Sequence, residues 1–124
     1  MTNRALQQFE WSVRALAQPS AVQPTLYPSF VAVADELALE FDEHYRTLDL
    51  DRLRPLQREA VRALDDALDA MSGPDHLELW EVEALDRPEW QHVRELARAL
   101  IHVMGWSAAA PPVERGAIYV GSDA

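Results

Sequence analysis

LDRPEWQHVRELARALIHVMG, residues 85–105, is the stretch whose reading decides the fold. Asp86 stands where an N-cap belongs, Pro88 in the first turn and Glu89 three residues after the cap. Leu85 and Trp90 occupy the two positions of a hydrophobic staple. Val93, Leu96, Ala97, Leu100, Ile101 and Met104 then recur at helical spacing, and Gly105 supplies a stop. One face of this helix is apolar and the other charged, so it needs partners of the same kind.

Working outward, the same period runs through nearly the whole chain. Residues 4–17 predict a helix capped by Asn3 or Thr2, with Leu6, Phe9, Val13 and Leu16 on its apolar side. Residues 18–28 carry Pro19, Pro24 and Pro28 and read as an extended connection, the one plausible hinge. Ser29 is placed to cap a helix over residues 30–47, with Phe30, Val33, Ala34, Leu37, Phe41 and Tyr45 inward. A helix from residue 52 or 55 to residue 71 turns Leu53, Leu56, Ala60, Leu64, Ala67, Leu68 and Met71 inward. Gly73 is expected to end it in the left-handed conformation, with Pro74 preventing continuation. A short helix over residues 75–84 has Asp75 and Glu78 spaced as a capping box. In the tail, residues 106–124, Ala117, Ile118, Tyr119 and Val120 suggest a short strand or ordered arm. The expectation is a single all-α domain over residues 1–124, a bundle of about five helices, with no internal repeat.

Composition narrows the chemistry. With 124 residues and 48% apolar content, the chain is long enough for one core. No cysteine is present, which removes disulfides and thiolate chemistry. The start lacks the pattern of a secretory signal, and no apolar run approaches the roughly 20 residues of a membrane span. A cytoplasmic, non-membrane protein is therefore expected. A formal net charge of −10 argues against nucleic acid as a ligand.

That charge is concentrated. Residues 35–51 hold seven acids against Arg46, and residues 65–89 hold nine against Arg87. Arg52, Arg54, Arg58 and Arg62 form a basic band between them. Such blocks are commonly solvated helix faces. Here the imbalance exceeds what solubility requires and recurs on consecutive helices, so the faces can merge into a field for a basic partner. The candidate contact residues are Glu36, Glu40, Asp42 and Glu43, with Asp65, Asp66 and Asp69, and two tryptophans beside helix ends, Trp80 and Trp106.

Signals for catalysis are weaker. Glu89 and His92 have the Glu-x-x-His spacing of di-iron bundles, but a second such motif is missing and Glu89 already serves as a capping residue. Glu36, Glu40, Glu43, Asp65, Asp66 and Asp69 would suit a magnesium-dependent helical hydrolase of nucleotides if the second and third helices faced each other. The ordered glutamate pattern and the lysine or asparagine of such sites are absent. The four histidines are too scattered for zinc. There is no Gly-x-Ser-x-Gly elbow and no phosphate-cradling glycine loop. No cofactor, metal or catalytic residue is expected.

The stretch LWEVEALDRPEW (residues 79–90), continuing through Val93, Arg94, Glu95, Leu96, Ala97 and Arg98, and the run DELALEFD (residues 35–42) resemble the small acidic helical immunity proteins encoded beside bacterial polymorphic toxins. Together they cover about half the chain. The resemblance implies a cytosolic non-enzyme that binds one cognate toxin domain, and no catalytic residues carry over. Many such toxins are basic nucleases, whose phosphate-binding cleft an acidic helical surface can occupy. A metal-dependent helical hydrolase and an oligomeric scaffold are the rival classes.

Overall fold

A computed structural model describes residues 4–113. The chain is an all-helical bundle. Its α-helices are α1 (Arg4–Leu16), α2 (Val33–Arg46), α3 (Pro55–Ala70) and α4 (Pro88–Met104), and among the described residues there is no strand. Short 3₁₀ helices at Gln23–Leu26, Leu50–Arg52, Pro74–Trp80 and Val82–Asp86 make the connections. Neighbours in sequence pair, α1 with α2 and α3 with α4, and α1 packs on α4 to join the pairs. Trp90, Phe9, Phe41, Leu16, Leu37, Leu64, Leu85 and Leu100 are the large side chains sealed inside. Among the described residues, no helix is long and apolar enough to cross a membrane.

The last helix ends as its sequence predicts. Gly105 is left-handed at φ 74°, its N–H bonds His102 O, and Trp106 N–H bonds Ile101 O. That pair of bonds is a Schellman motif. Its start differs by one residue. Arg87 is the N-cap, because Gln91 N–H makes the first helical bond to Arg87 O. The Asp86 carboxylate instead accepts a hydrogen bond from Ser20 Oγ in the connection after α1. Leu85 and Trp90 are both buried nonetheless. Leu96 is only half-buried, so the centre of this face is Val93, Ala97 and Leu100.

Two other apolar faces are as expected at their centres, Val33, Ala34, Leu37 and Phe41 on α2 and Leu64 and Leu68 on α3, but each loses an expected residue at its start. α2 starts at Val33 after a turn in which Val31 N–H bonds Pro28 O, which leaves Phe30 outside the helix and 86% exposed. Ser29 is accordingly not its cap; Ala32 is. On α3 the buried positions are Val61, Leu64 and Leu68, a stripe that continues back to Gln57. Leu56, one residue away and so turned by about 100°, is 70% exposed. Gln57 accepts from Arg54 N–H and donates to Val103 O, which ties the start of α3 to the end of α4.

The expected fourth α-helix is two 3₁₀ pieces, with His76 outside helical geometry and no side-chain cap at Asp75. Its buried residues, Leu79, Ala84 and Leu85, are spaced for short tight turns and not for one amphipathic face. Side chains satisfy its carbonyls: Trp90 Nε1 donates to Leu79 O and Arg94 to Leu85 O. Gly73 has positive φ but at φ 109°, ψ 167°, which is an extended glycine geometry and not the left-handed helical one.

The proline-rich connection is compact where an extended hinge was expected. Gln23 is fully buried and donates to Ala15 O and Leu16 O. Gln18 Nε2 donates to Arg14 O, Arg98 to Ala17 O and Arg94 to Gln18 O. The carbonyls at the end of α1, which a helix leaves without partners, are thus met by side-chain amides, and those of the two residues that follow it by two cations. The tail after α4 runs back along α1: Trp11 Nε1 donates to Pro112 O and Arg14 to Ala109 O. The strand or arm expected at residues 117–120 lies outside the described residues.

Candidate functional site

α2 has two working faces. Val33, Ala34, Leu37 and Phe41 are buried against the bundle. Asp35, Leu39, Asp42 and Arg46 follow one another at spacings of four, three and four, so they share another stripe. α3 has a matching stripe in Asp65, Leu68 and Asp69, continued by Ser72 just past its end. Since α2 packs mainly on α1 and α3 mainly on α4, these stripes face each other across a gap instead of closing on it. The gap is a groove of ≈ 720 Å³, and Leu77 and Trp80 of the 3₁₀ segment help line it.

The floor is apolar and the rim acidic. Phe41 and Leu68 are buried beneath it. Leu39 on α2 and Leu77 from the 3₁₀ segment stand exposed at 60% and 67%. Trp80 is held in place, its Nε1 donating to Met71 O at 3.0 Å and its ring edge-on to Trp90 at 5.5 Å. Asp35, Asp42, Asp65 and Asp69 supply four carboxylates against one guanidinium, that of Arg46. Arg46 Nε meets Asp42 Oδ2 at 2.7 Å along the same helix.

The carboxylates feel one another. Burial raises the Asp65 carboxyl above its ordinary value, Asp69, Asp66 and Asp42 raise it further, and Arg46 partly offsets them. Burial also raises the Tyr45 phenol, with Asp65 adding to it and Arg62 opposing. Tyr45 stacks on Phe41 at 5.7 Å. The hydrogen bond and charge of Asp42 raise Arg46, which stays cationic. A field therefore crosses from α3 to α2, and the groove carries an excess of negative charge above an apolar floor.

Of the residues expected from sequence, Asp42, Asp65, Asp69 and Trp80 come together here. Glu36, Glu40 and Glu43 do not line this groove; Glu40 is 8% exposed and Glu43 open to solvent. Asp66 lies on another flank of α3, in a recess shared with His76, Glu89 and His92. Trp106 is half-buried and packs edge-on against Phe9 at 6.2 Å. Asp35, Leu39, Arg46 and Leu77 were missed. The stripe through 35, 39, 42 and 46 is legible in the sequence, whereas Leu77 is placed by the irregular segment. Among the described residues, no group of three or more His, Asp or Glu side chains is arranged to hold a metal ion. Compared with known proteins, the chain matches no family model, no curated protein and no solved structure.

Proposed function

We propose that this chain is a protein-binding inhibitor of the immunity type, which neutralises a basic toxin domain by engaging it through the groove between α2 and α3. One observation carries this reading: four carboxylates surround an apolar floor flanked by two exposed leucines. Exposed leucines beside a half-open tryptophan favour a contact that covers them, at roughly 25 cal/mol per Å² of apolar surface removed from water. The acidic rim selects which surface does so. Opposite potentials speed encounter, and like-charged surfaces are rejected.

The resemblance of residues 35–42 and 79–98 to immunity proteins supports the same reading, because both stretches contribute to this face: Asp35, Leu39 and Asp42 from the first, Trp80 from the second. The test is copurification with the product of the adjacent gene, at low and at physiological salt. The expected result is a complex that weakens as salt rises, since exposed charges are screened beyond about 8 Å at physiological ionic strength. Reversing Asp65 and Asp69 to Lys should weaken it at least tenfold, and reversing Glu43 and Glu36 far less. A complex indifferent to salt and to the Asp65 and Asp69 reversal would overturn the assignment.

A further inference from the structure

We infer that the groove takes one amphipathic, cationic α-helix of the partner, with its apolar stripe on the floor and its Lys or Arg residues against the two acidic walls. The inference rests on the functional reading above and names the form of the contact.

Three features select a helix. The first is the chemistry of the walls. Both are helix faces, whose backbone groups are already bonded within α2 and α3, and among the described residues there is no strand edge to pair with. An extended segment laid over Leu39, Leu77 and Trp80 would place its own N–H and C=O groups against apolar side chains, and unpaired buried backbone groups are costly. A helix bonds its own backbone and offers only side chains.

The second is charge complementarity on both sides. Asp35 and Asp42, the latter ion-paired with Arg46, lie on one wall and Asp65 and Asp69 on the other, with the apolar floor between. A helix with leucine-like residues at i, i+3 or i+4 and i+7 presents an apolar stripe bordered by two polar flanks. Cations on both flanks meet both walls at once. A flat basic surface would reach the rim without entering the space between the two walls.

The third is length. From Asp35 to Arg46 the α2 wall rises by roughly 16 Å, about three turns of helix. Three turns carry three or four apolar anchors, enough to cover the exposed Leu39 and Leu77 and the half-buried Trp80.

The experiment uses the full chain and three synthetic peptides of about 14 residues. One is a Leu/Lys peptide with leucines at helical spacing. The second has the same composition with leucine and lysine alternating, and the third is oligolysine. Affinity is measured by calorimetry, peptide helicity by circular dichroism, and the bound face by amide shift changes. The helical-pattern peptide should bind best, gain helicity and shift the amides of α2, α3 and the Leu77 segment. The alternating peptide and oligolysine should bind at least tenfold more weakly. The double variant Leu39→Ser/Leu77→Ser alters two exposed side chains, so it should melt like the parent and bind the helical peptide about tenfold more weakly. Equal binding of all three peptides that Asp65→Lys abolishes would overturn the helix inference and leave the acidic binding face standing. Binding untouched by Leu39→Ser/Leu77→Ser, or shifts mapping elsewhere, would also overturn it. Failure of every cationic probe at low salt would sink both readings.

Discussion

Arg94 is a buried cation to which, among the described residues, no carboxylate is bonded. Its guanidinium donates to Gln18 O, Gln91 Oε1, Gln23 Oε1 and Leu85 O, four oxygens from three different segments. Burial and neighbouring Arg98 make it a weaker base, Asp86 opposes that, and it remains charged. Two backbone carbonyls and two side-chain amide oxygens thus share the charge in place of a carboxylate. Arg94→Met should cost roughly 3–5 kcal/mol, because it strips the donor from several buried acceptors at once. Urea denaturation measures this, and a loss under about 1 kcal/mol would show that water replaces the guanidinium. Asp65 behaves oppositely. Its carboxyl is raised, so the folded state holds the proton more tightly than the unfolded chain and ionisation opposes folding. The penalty is absent below the ordinary value of 3.8 and complete above the raised folded value. Asp65→Asn should therefore raise the melting temperature by a few degrees at neutral pH, with the gain vanishing as pH falls through that window. A gain that persists at the acid end would assign it to packing instead of charge.

At the scale of the element, legibility follows from how locally each signal is decided. Gly105 ends α4 as read because a Schellman motif involves only six consecutive residues. The apolar face of α3 holds Leu64, Leu68 and Met71 as its spacing predicts, but at its start Leu56 is exposed and Gln57 turns inward, because Gln57 is held by Val103 O of α4 across the interface. The segment from Pro74 to Asp86 had the cap pattern of an α-helix and forms 3₁₀ turns, since Trp90 and Arg94 from α4 supply partners that one continuous helix would not need. The connection over residues 18–28 was legible as proline-rich, but not that Gln23 and Arg94 fasten it, because neither partner is near the other in sequence. Of the site, Asp42, Asp65, Asp69 and Trp80 are legible in the sequence, but on α2 the acid count favours the stripe of Glu36, Glu40 and Glu43 over that of Asp35, Leu39 and Arg46, because the facing of α2 and α3 that decides between them is tertiary. Gly73 marks the point where α3 gives way to the irregular segment that carries Leu77 and Trp80. No atom lies within 4 Å of an added Cβ there, yet φ is 109°. Gly73→Ala should thus destabilise by about 1–3 kcal/mol through backbone strain alone. A neutral effect in thermal melts would mean the loop re-forms with ordinary dihedrals.

Across the whole molecule, the bundle leaves one seam open. α1 packs on α2 and α4 on α3, but α2 and α3 hold like charges toward each other where an ordinary bundle would close. A net charge of −10 adds a general repulsion that disfavours the compact state. The arrangement costs stability, and the return is a surface of one sign with an apolar floor. Stability and binding should therefore move in opposite directions when the seam is altered. In the double variant Asp65→Lys/Asp69→Lys, two lysines would face Asp35, Asp42 and the Arg46 paired with it across the groove, two carboxylates against one cation. Its melting temperature should rise by several degrees at low ionic strength, and the rise should shrink in high salt, where these contacts are screened. The same variant should lose partner binding at least tenfold. A matched reversal of Glu43 and Glu36, outside the groove, should give little of either effect. A variant that gains stability and keeps its affinity would separate the two properties and place the contact surface elsewhere. One that loses stability would show that Asp65 and Asp69 serve the fold, and that the open seam is held apart by something other than their charge.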